Sequence, residues 1–524
     1  MAANPPATAA PKGGPDPAFH WIVNGAAAAV RDLPRLPAGE LHAAVVRVCR
    51  DGARIAALCV LPRTVASAGD DRRDGGALLA VIADDDAGRI GLLTAVPDPP
   101  GAFPSLTPDL PQAQAFEREI FEDHGFRPAG HPWLKPLRRH RFPGGGPDPA
   151  ATAAPAHEFF RVEGPGIHEV AVGPVHAGVI EPGHFRFQCR GETVLHLEIH
   201  LGYQHRGAEA LLLRSTPGRR VVIAESIAGD TAVGHALAHC QALESLTGTP
   251  LPPAAGHLRS LALEIERLAN HAGDLGALCN DVGYLPGASW FGRLRGEFLN
   301  LLMELSGNRF GRGLLRPGGV CRGLDAPMRR DFADRLKTAG RDLERVADLT
   351  FSSPSVGSRF ERCGVVARAD AEALGLVGPA ARASGCDLDL RRDHPFAAYA
   401  AEPVKPVVAA GGDVMARAEI RRREAVQSIT LALRLLDRLP EGAPAAPVGR
   451  PAPGMLAVSL VEGWRGEILH LLATDGRGDL AACKIVDPSF HNWPALAWAM
   501  RGGAISDFPL CNKSFNLSYA GHDL

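Results

Sequence analysis

Ionisable side chains that could transfer protons are concentrated in one stretch of the chain, Val172–Glu244. Glu209 ends the run Gln-His-Arg-Gly-Ala-Glu, and Asp230 lies in a Gly-Asp turn directly before a helical pattern. A carboxyl group in a partly dry cleft has a raised pKa, which lets it hold and release protons near neutral pH. Both are therefore candidate proton-transfer residues. Two simpler interpretations stay open, in which Glu209 forms an ion pair with Arg206 or with an arginine of 391–392, and Asp230 caps the following helix.

Three histidines of the same stretch are further candidates. His176 and His184 lie in the loop GPVHAGVIEPGHF, and His235 follows Asp230 at the start of the helical pattern. An imidazole changes its charge close to physiological pH, so each of the three could accept or donate a proton. The sequence does not decide between His176 and His184.

A carboxylate and an imidazole are adjacent further along the chain, at Asp393 and His394 in the segment RRDHPF. A carboxylate that accepts a hydrogen bond from an imidazole orients the ring and raises its basicity, which predicts a proton relay. The alternative is a charged loop cap in which Arg392 stabilises Asp393. Both interpretations stay open at this point.

Local patterns place these residues at the ends of regular elements. GETVLHLEIHLGY alternates as a β-strand does. GHALAHCQALESL then changes to helical spacing. Four longer helical patterns follow, the first starting near Pro253, the second stopping at Gly307 and the fourth ending at Pro440. The segment LAVSLVEGWRGEILHLLATDGRGDLAACKIVDPSF then predicts a β-meander with a D-G-R-G turn.

The composition limits the class of protein. A chain of 524 residues is too long for one ordinary domain, and its net charge of -2 argues against nucleic-acid binding. The ten cysteines form no C-x-x-C pair, the spacing that structural zinc and iron–sulfur sites usually need. No run of about 18 apolar residues is present, so we expect any membrane association to pass through partner subunits.

The N-terminal part predicts a small α/β domain over residues 19–140. The segments 42–52 and 53–62 read as a hairpin, and two more strands flank the D-D-D-A-G turn. Residues 1–18 predict a disordered tail, and the Gly/Pro/Ala-rich residues 141–158 predict a linker. His124 and His131 are not expected to bind metal, because no third ligand is near them in sequence.

Several separated motifs resemble one family. GPVHAGVIEPGHFRF, LEIHLGYQHRGAE, GLVGPAARASGCDLDLRRDHPFAAY and RGEILHLLATDGRGDLAACKIVDPSF are similar to the large subunit of formate hydrogenlyase-type nickel–iron hydrogenases and to its relative in NADH–quinone oxidoreductase (complex I), the D-type subunit. AFEREIFEDHGFRPAGHP resembles the C-type subunit of complex I, which that family fuses to the N-terminus. The resemblance implies an α+β fold: an α/β domain over 19–140, then a helical-bundle domain with β appendages over 159–524.

The resemblance also identifies four positions where hydrogenases hold nickel and iron with cysteine thiolates. The first pair aligns with Ala228 and Thr231. The second pair should fall near the C-terminus, in DFPLCNKSFNLSYAGHDL, where only Cys511 offers sulfur and Ser514 stands at the partner spacing. One thiol cannot hold a bimetallic centre that requires soft thiolate ligands. We therefore expect no bound metal and no cofactor held directly by this chain.

In complex I the corresponding cleft binds the quinone headgroup through a loop histidine and a tyrosine. His176 or His184 would supply the histidine here, with Arg206 and His235 beside them, but Gly229 or a neighbour stands where the tyrosine is expected. In hydrogenases the residue matching Glu209 passes protons, although Ala210 replaces the lysine that usually follows it. A quinone is thus a candidate ligand whose usual tyrosine is missing.

The resemblance implies the large subunit of a membrane-associated, complex I-like oxidoreductase. Its expected partners are a small iron–sulfur subunit and antiporter-like membrane subunits, with this chain peripheral on the cytoplasmic side of the inner membrane. Electron transfer from the partner cluster would be coupled to proton uptake. A non-redox coupling subunit is the alternative, and an active nickel–iron hydrogenase is a third hypothesis. The sequence has no G-x-G-x-x-G motif in a strand-turn-helix context, so it does not indicate NAD binding.

Overall fold

A computed structural model describes residues 14–66, 76–98, 101–138, 157–176 and 180–524. Residues 1–13 of the predicted tail and 139–156, which include most of the predicted linker, lie outside the described residues. The protein combines helices and sheets, in agreement with the predicted α+β class.

The N-terminal part is built on an antiparallel sheet in the order β1-β6-β5-β4, with β3 parallel to β6. The two strands predicted around the D-D-D-A-G turn are β5 and β6. A short parallel pair, β7 and β8, lies outside this sheet. The elements are β1 (His20–Ile22), β2 (Ala27–Ala29), β3 (Arg35–Pro37), α1 (Ala38–Arg50), β4 (Arg54–Leu61), α2 (Arg63–Ala66), β5 (Ala77–Asp84), β6 (Arg89–Val96), β7 (Ala102–Pro104), α3 (Gln114–His124) and β8 (Arg127–Ala129).

The predicted strand at 42–52 is wrong, because this segment belongs to helix α1. Leu41, Ala44, Val45 and Val48 are all buried, and their spacing places them on one helical face. The adjacent valines suggested a strand because β-branched residues favour strands in general. Burial of a complete helical face outweighs that weak local preference.

The middle of the chain begins with a three-stranded antiparallel sheet in the order β11-β10-β9 and continues into helices. The strand predicted in GETVLHLEIHLGY is β11, and the helix predicted in GHALAHCQALESL is α6. The elements are β9 (Ile167–Val172), β10 (His184–Arg190), β11 (Thr193–His200), α4 (Ala208–Arg214), α5 (Pro217–Ala224) and α6 (Ala232–Thr247).

Four long helices form the bundle that the sequence predicts. Helix α7 is central, since it packs against both α8 and α14. Gly307 ends α8 in the left-handed conformation, at φ 82°, as the predicted stop requires. The elements are α7 (Pro253–Asp281), α8 (Leu285–Ser306), β12 (Leu315–Arg316), β13 (Gly319–Val320), α9 (Ala326–Phe351), α10 (Pro354–Phe360), α11 (Arg368–Leu374), α12 (Gly378–Ala383), α13 (Leu390–Asp393) and α14 (Val414–Asp437).

The predicted β-meander is present and belongs to a four-stranded sheet in the order β16-β15-β14-β2. Strand β2 of the N-terminal part pairs with Met455–Ala457 of β14, so one sheet includes residues from both sides of the predicted linker. The division into domains at 141–158 stays a prediction. The last elements are β14 (Met455–Gly463), β15 (Gly466–Thr474), β16 (Leu480–Val486), α15 (Pro488–Ala499), α16 (Phe508–Phe515) and α17 (Tyr519–Asp523).

A fully buried ion cluster connects α7, α12, α14 and β14. Arg382 donates to Glu424 and to Glu462, each at 2.8 Å, and His271 contacts the other oxygen of Glu424 at 2.8 Å. Arg267 donates to the carbonyl oxygens of Glu462 and Gly463 at 2.7 and 3.0 Å. The side chains of Arg382, Glu424 and Glu462 are at most 1% exposed. These bonds hold the end of β14 against the central helix, directly before the turn that leads into β15.

We expect Arg382→Met to lower the free energy of unfolding by about 3–5 kcal/mol, because it leaves two buried carboxylates without their shared cation. Arg392→Met is the matched control in the neighbouring helix, where the arginine side chain is 38% exposed. It should cost less than about 1 kcal/mol. Urea unfolding followed by circular dichroism measures both, and equal losses would contradict the assigned role of the buried cluster.

Candidate functional site

The turn between β14 and β15 presents an arginine to the start of α6. Arg465 donates from its two terminal nitrogens to the two carboxylate oxygens of Asp230, at 2.6 and 2.8 Å. Trp464, whose ring lies 3.9 Å from the same guanidinium, donates to the Asp230 carbonyl at 3.1 Å. The turn approaches its neighbour closely, because a Cβ on Gly466 would lie 2.8 Å from the backbone of Gly378. A two-pronged Arg–carboxylate pair of this kind fixes orientation as well as charge.

Asp230 does not cap α6, so that interpretation is wrong. Thr231 occupies the N-cap position, and its hydroxyl accepts bonds from Trp464 and Arg465 instead of capping the helix. Burial tends to raise the pKa of Asp230, but the Arg465 guanidinium and its hydrogen bonds outweigh burial and lower it. Asp230 is therefore an ionised partner of Arg465 at neutral pH.

The C-terminal segment meets this pair through the same arginine. Arg465 Nε donates to the carbonyl oxygen of Asn516 at 2.5 Å, and the Asn516 amide donates to Asp274 at 2.6 Å. Asp274 also accepts from Arg421 at 2.7 Å. Asn516 is left-handed, at φ 48°, a conformation that asparagine tolerates better than most residues. The site thus joins the start of α6, the β14–β15 turn, α7, α14 and the end of α16.

A buried Asp–His pair lies beside these residues. His235, in the first turn of α6, has its Nε2 3.0 Å from a carboxylate oxygen of Asp487. The other oxygen of Asp487 accepts from the backbone of Ser489 at 2.8 Å and caps α15. Burial tends to raise the pKa of Asp487, but His235 and Arg465 lower it overall. A Cβ on Gly521 would lie 2.5 Å from this carboxylate, so the C-terminal residues press against it.

The loop before β10 reaches the site through a residue that sequence reasoning missed. Glu181 accepts from the backbone of Tyr519 at 3.1 Å, and its charge interacts with Arg465 and Asp230. Burial raises the pKa of Glu181 above its usual value. The motif IEPGHF contains Glu181, but no local pattern could reveal its role, since Tyr519 is 338 residues away. This carboxylate links the described part of the loop to the Asp230–Arg465 pair.

The two loop histidines have other surroundings. The His184 ring lies 3.2 Å from the Gly173 carbonyl through Nδ1 and packs on Phe159 at 5.1 Å. The His176 ring contacts Phe185 at 5.8 Å. Burial lowers the pKa of both imidazoles. Their role in binding a headgroup stays a prediction.

Glu266 of α7 is a second residue that sequence reasoning missed. Its carboxylate accepts from the backbone N–H groups of Val233 and Gly234 at 2.7 and 3.2 Å, at the N-terminus of α6. Burial raises its pKa to about 8, with the nearby charge of Asp230 acting in the same direction. No local pattern could reveal this, since the acceptor and the helix end are 33 residues apart. Glu266 is a buried carboxyl group that can change its protonation near neutral pH.

Glu209 belongs to a different cluster from Asp230. It accepts from the backbone of Ile485 at 2.7 Å and from Lys484 at 3.3 Å, and Lys484 also contacts Glu119 at 2.5 Å. The ion pair predicted with Arg206 or with 391–392 is therefore replaced by one with Lys484. Burial raises the pKa of Glu209, while Lys484 lowers it in part, and the net shift is upward.

Arg206 contacts the backbone next to the turn that carries Asp230. It donates to the carbonyl oxygens of Ser226 and Ile227 at 2.7 and 2.8 Å, directly before the turn that carries Asp230. Its backbone N–H donates to the carbonyl of Leu524 at 2.8 Å. Arg206 therefore positions the turn relative to the last residue of the chain.

The predicted Asp393–His394 relay is wrong. His394 contacts Asp85 at 3.0 Å, whereas Asp393 accepts from Arg392 at 2.5 Å and from the backbone of Asp389 at 2.8 Å. Adjacent side chains at the end of α13 point to different partners, because a helical backbone turns successive residues about 100° apart. Asp393 is the Arg392-stabilised loop cap of the alternative interpretation, and His394 contacts the N-terminal part.

The four positions that resemble the hydrogenase thiolate pairs do not fit a nickel–iron centre. Ala228 has no donor atom, and the Thr231 hydroxyl bonds to Trp464 and Arg465. Ser514 accepts from Arg417 at 2.8 Å and donates to the carbonyl of Cys511 at 2.6 Å. Burial raises the pKa of the Cys511 thiol to about 12. A single thiol that resists ionisation cannot replace four thiolates.

Among the residues that the structure describes, no three His, Cys, Asp or Glu side chains are arranged to hold a metal ion. No helix in the described ranges is long and apolar enough to cross a membrane.

Comparison with known proteins agrees with the resemblance. Residues 281–453 match the family described as the respiratory-chain NADH dehydrogenase 49 kDa subunit. Formate hydrogenlyase subunit 5 of Escherichia coli is 30% identical over 439 residues, which cover 80% of this chain and 77% of that protein. The carbon monoxide-induced hydrogenase of Rhodospirillum rubrum is 33% identical over 67% of this chain and 97% of its own. The D-type subunit of the NADH-quinone oxidoreductase of Clostridium beijerinckii is 30% identical over 64% of this chain and 91% of its own.

We expect Glu266→Gln to change how stability depends on pH. The usual pKa of this carboxyl group is 4.5, and it is about 8 in the folded protein. Between those values the unfolded chain releases the proton that the folded chain keeps, so wild-type stability falls as pH rises, by up to about 1.4 kcal/mol per pH unit. The glutamine variant lacks this contribution.

Urea unfolding at several pH values between the two pKa values measures the effect. Relative to the wild type, Glu266→Gln should gain stability steadily as the pH rises. The exposed Glu163→Gln is the control and should follow the wild-type curve. Parallel curves for all three proteins would contradict a raised pKa at Glu266.

Proposed function

We propose, because this chain belongs to the family of hydrogenase and complex I large subunits, that it is the large subunit of a membrane-associated oxidoreductase without a nickel–iron centre. It would receive electrons from an iron–sulfur cluster on a small partner subunit. Antiporter-like membrane subunits would complete the complex, with this chain peripheral on the cytoplasmic side. The reaction at its own site would be proton uptake coupled to reduction of an acceptor, for which a quinone is the candidate.

The observation that supports the proposal is the chemistry of the position where the two thiolate pairs would meet. Arg465 binds Asp230 next to the first pair of positions and the Asn516 carbonyl next to the second. An arginine–carboxylate pair between these segments supports a site that works without metal. The N–H groups of the arginine could also donate to a polar acceptor and stabilise charge that develops on it, as fixed donors do in other active sites.

Protons would come from carboxyl groups around this pair. Glu266, whose pKa is raised to about 8, can hold a proton at neutral pH and pass it to an acceptor that gains negative charge. Burial also raises the pKa of Glu181, which favours its protonated form. His235, held by Asp487, is oriented to accept a proton in exchange. Asp230 stays ionised and orients Arg465.

A second candidate function is supported by one feature of the site. Its described charges have partners: Arg465 with Asp230, Arg421 with Asp274 and His235 with Asp487. A site in which each charge is already compensated can serve as a structural link, as expected for a non-redox coupling subunit. The two functions differ in whether any acceptor draws electrons through the neighbouring cluster.

Electron paramagnetic resonance of the purified complex separates the two functions. Under turnover with a quinone analogue, the redox function predicts a loss of the reduced cluster signal, and the coupling function predicts no change with any acceptor. A signal that stays constant across quinone analogues and redox dyes would overturn the redox proposal.

We expect no stoichiometric nickel in the purified chain with its small subunit, because the donor set lacks three of the four thiolates. The measurement is metal analysis after expression in a host with hydrogenase maturation enzymes. Formate hydrogenlyase subunit 5 of Escherichia coli, purified in parallel, is the control for the host's ability to insert nickel. Nickel in a one-to-one ratio, or hydrogen-dependent dye reduction, would restore the hydrogenase hypothesis.

In the assembled complex, Asp230→Asn should lower acceptor reduction by about 10²-fold or more, since asparagine cannot hold Arg465 through two ionic bonds. Asp393→Asn is the matched control, because that carboxylate belongs to the loop cap around Arg392. Initial rates with the natural electron donor, or with a chemical reductant of the small subunit, measure both. Equal rates for Asp230→Asn and the wild type would remove Asp230 from the mechanism.

A further inference from the structure

Three buried histidines lie in a row behind the Asp230–Arg465 pair. His235 and His239 are one turn apart on α6, and His470 faces them from β15. All three are 0% exposed. His235 and His470 are joined by a hydrogen bond between Nδ1 and Nε2 at 3.1 Å, and the ring centroids of His470 and His239 are 6.1 Å apart.

The direction of the hydrogen bonds follows from Asp487. Because His235 and Arg465 lower the pKa of that buried carboxyl, it is ionised and can only accept, so His235 donates from Nε2. A neutral His235 then has a bare Nδ1, to which His470 donates from its own Nε2. His470 is left with a bare Nδ1, for which the described residues offer no hydrogen-bond partner. Among the described residues, His470 Nδ1 is therefore a free hydrogen-bond acceptor, and His235 lies between this ring and Asp487.

His239 is the third histidine of the row. Neither of its ring nitrogens has a hydrogen-bond partner among the described residues. Burial, together with the charge of Arg220 on α5, lowers its pKa to about 4. Arg220 and Leu243, which is one helical turn beyond His239, line a cavity of about 880 Å³. The other ionisable groups of that cavity are Glu225, Arg316, Cys321, Arg450 and Asp479.

We propose that His239, His470 and His235 form an inner proton route from this cavity to Asp487, beside the candidate site. This role rests on the proposed proton uptake there, and it adds a supply path that does not pass through Glu181. An unpaired polar side chain in a core lowers the stability of the folded protein. A route gives His239 a function that packing alone does not.

Each step moves one proton and no electrons. A proton from water in the cavity binds His239 and passes to the bare Nδ1 of His470, through one bridging water or a small ring movement. His470 then breaks its Nε2–H bond as the Nδ1–H bond of His235 forms. The resulting imidazolium of His235 is stabilised by Asp487 and releases its Nε2 proton toward the site. The low pKa of His239 and His470 keeps protons from being trapped on the way.

Hydrogen–deuterium exchange at the imidazole C2 position, measured by mass spectrometry on the full chain with its small subunit, tests the route. This exchange needs contact between water and the ring. His491 is the matched control, because it is also buried and its pKa is also lowered to about 4. His271, paired with Glu424, is a second control. We expect His239 to exchange at least tenfold faster than both.

Two variants extend the test. His239→Leu should slow the exchange of His470 to the rate of the controls, since the route then lacks its first imidazole. His239→Gln keeps polarity but cannot be protonated, and in the assembled complex it should lower the rate and raise the solvent isotope effect as His239→Leu does. Activity of either variant should recover with added imidazole.

Exchange of His239 as slow as that of His491 would overturn the route, whether or not the complex takes up protons at the candidate site. Unchanged exchange of His470 in His239→Leu would do the same. Failure of the proposed function would appear separately, as a cluster signal that responds to no acceptor.

Discussion

The bidentate bond between Arg465 and Asp230 is the interaction on which the site depends. The same guanidinium reaches the Asn516 carbonyl, so one side chain connects the start of α6 with the C-terminal segment. Asp274 and Asp487 also lie within range of its charge. Without this cation, three neighbouring carboxylates would repel one another in a poorly solvated region, where like charges are costly. The charge of Arg465 is therefore the main requirement of the site, and the other contacts orient the side chains around it.

Helix α7 connects this site to the buried cluster around Arg382. One face presents Glu266 to the N-terminus of α6, and another presents Arg267 and His271 to β14 and Glu424. Because the cluster fixes the end of β14, it also fixes the turn that carries Arg465. Stability and site geometry thus share one element. A change of protonation at Glu266 acts on the same helix end that presents His235, which gives the site a means to respond to charge.

Sequence patterns predicted the elements better than the contacts between them. The long helices, β5, β6 and the β-meander could be predicted from periodicity, because the apolar residues of one buried face are close together in the sequence. Helix α1 was missed because its valines favour strands and its helical face contains small alanines. Asp230 and His235 could be found, since both lie in one motif. Arg465 and Asp487 are more than 200 residues away, and no local pattern reports such pairing. Asp393 and His394 are adjacent in sequence, which predicted a pair, but their side chains contact Arg392 and Asp85 instead.

Strand β2 has a consequence for the order in which the protein can fold during synthesis. Its partner, Met455–Ala457, is made more than 400 residues later. Until then β2 has no strand with which to form backbone hydrogen bonds, and closing so long a loop is entropically slow. The N-terminal sheet can form early, but the sheet that contains β2 can be completed only after β14 has been made. If the gene were split in two at the linker, the N-terminal product would have to pair its β2 with β14 of the other product. Otherwise β14 would expose an unpaired sheet edge that is prone to aggregation.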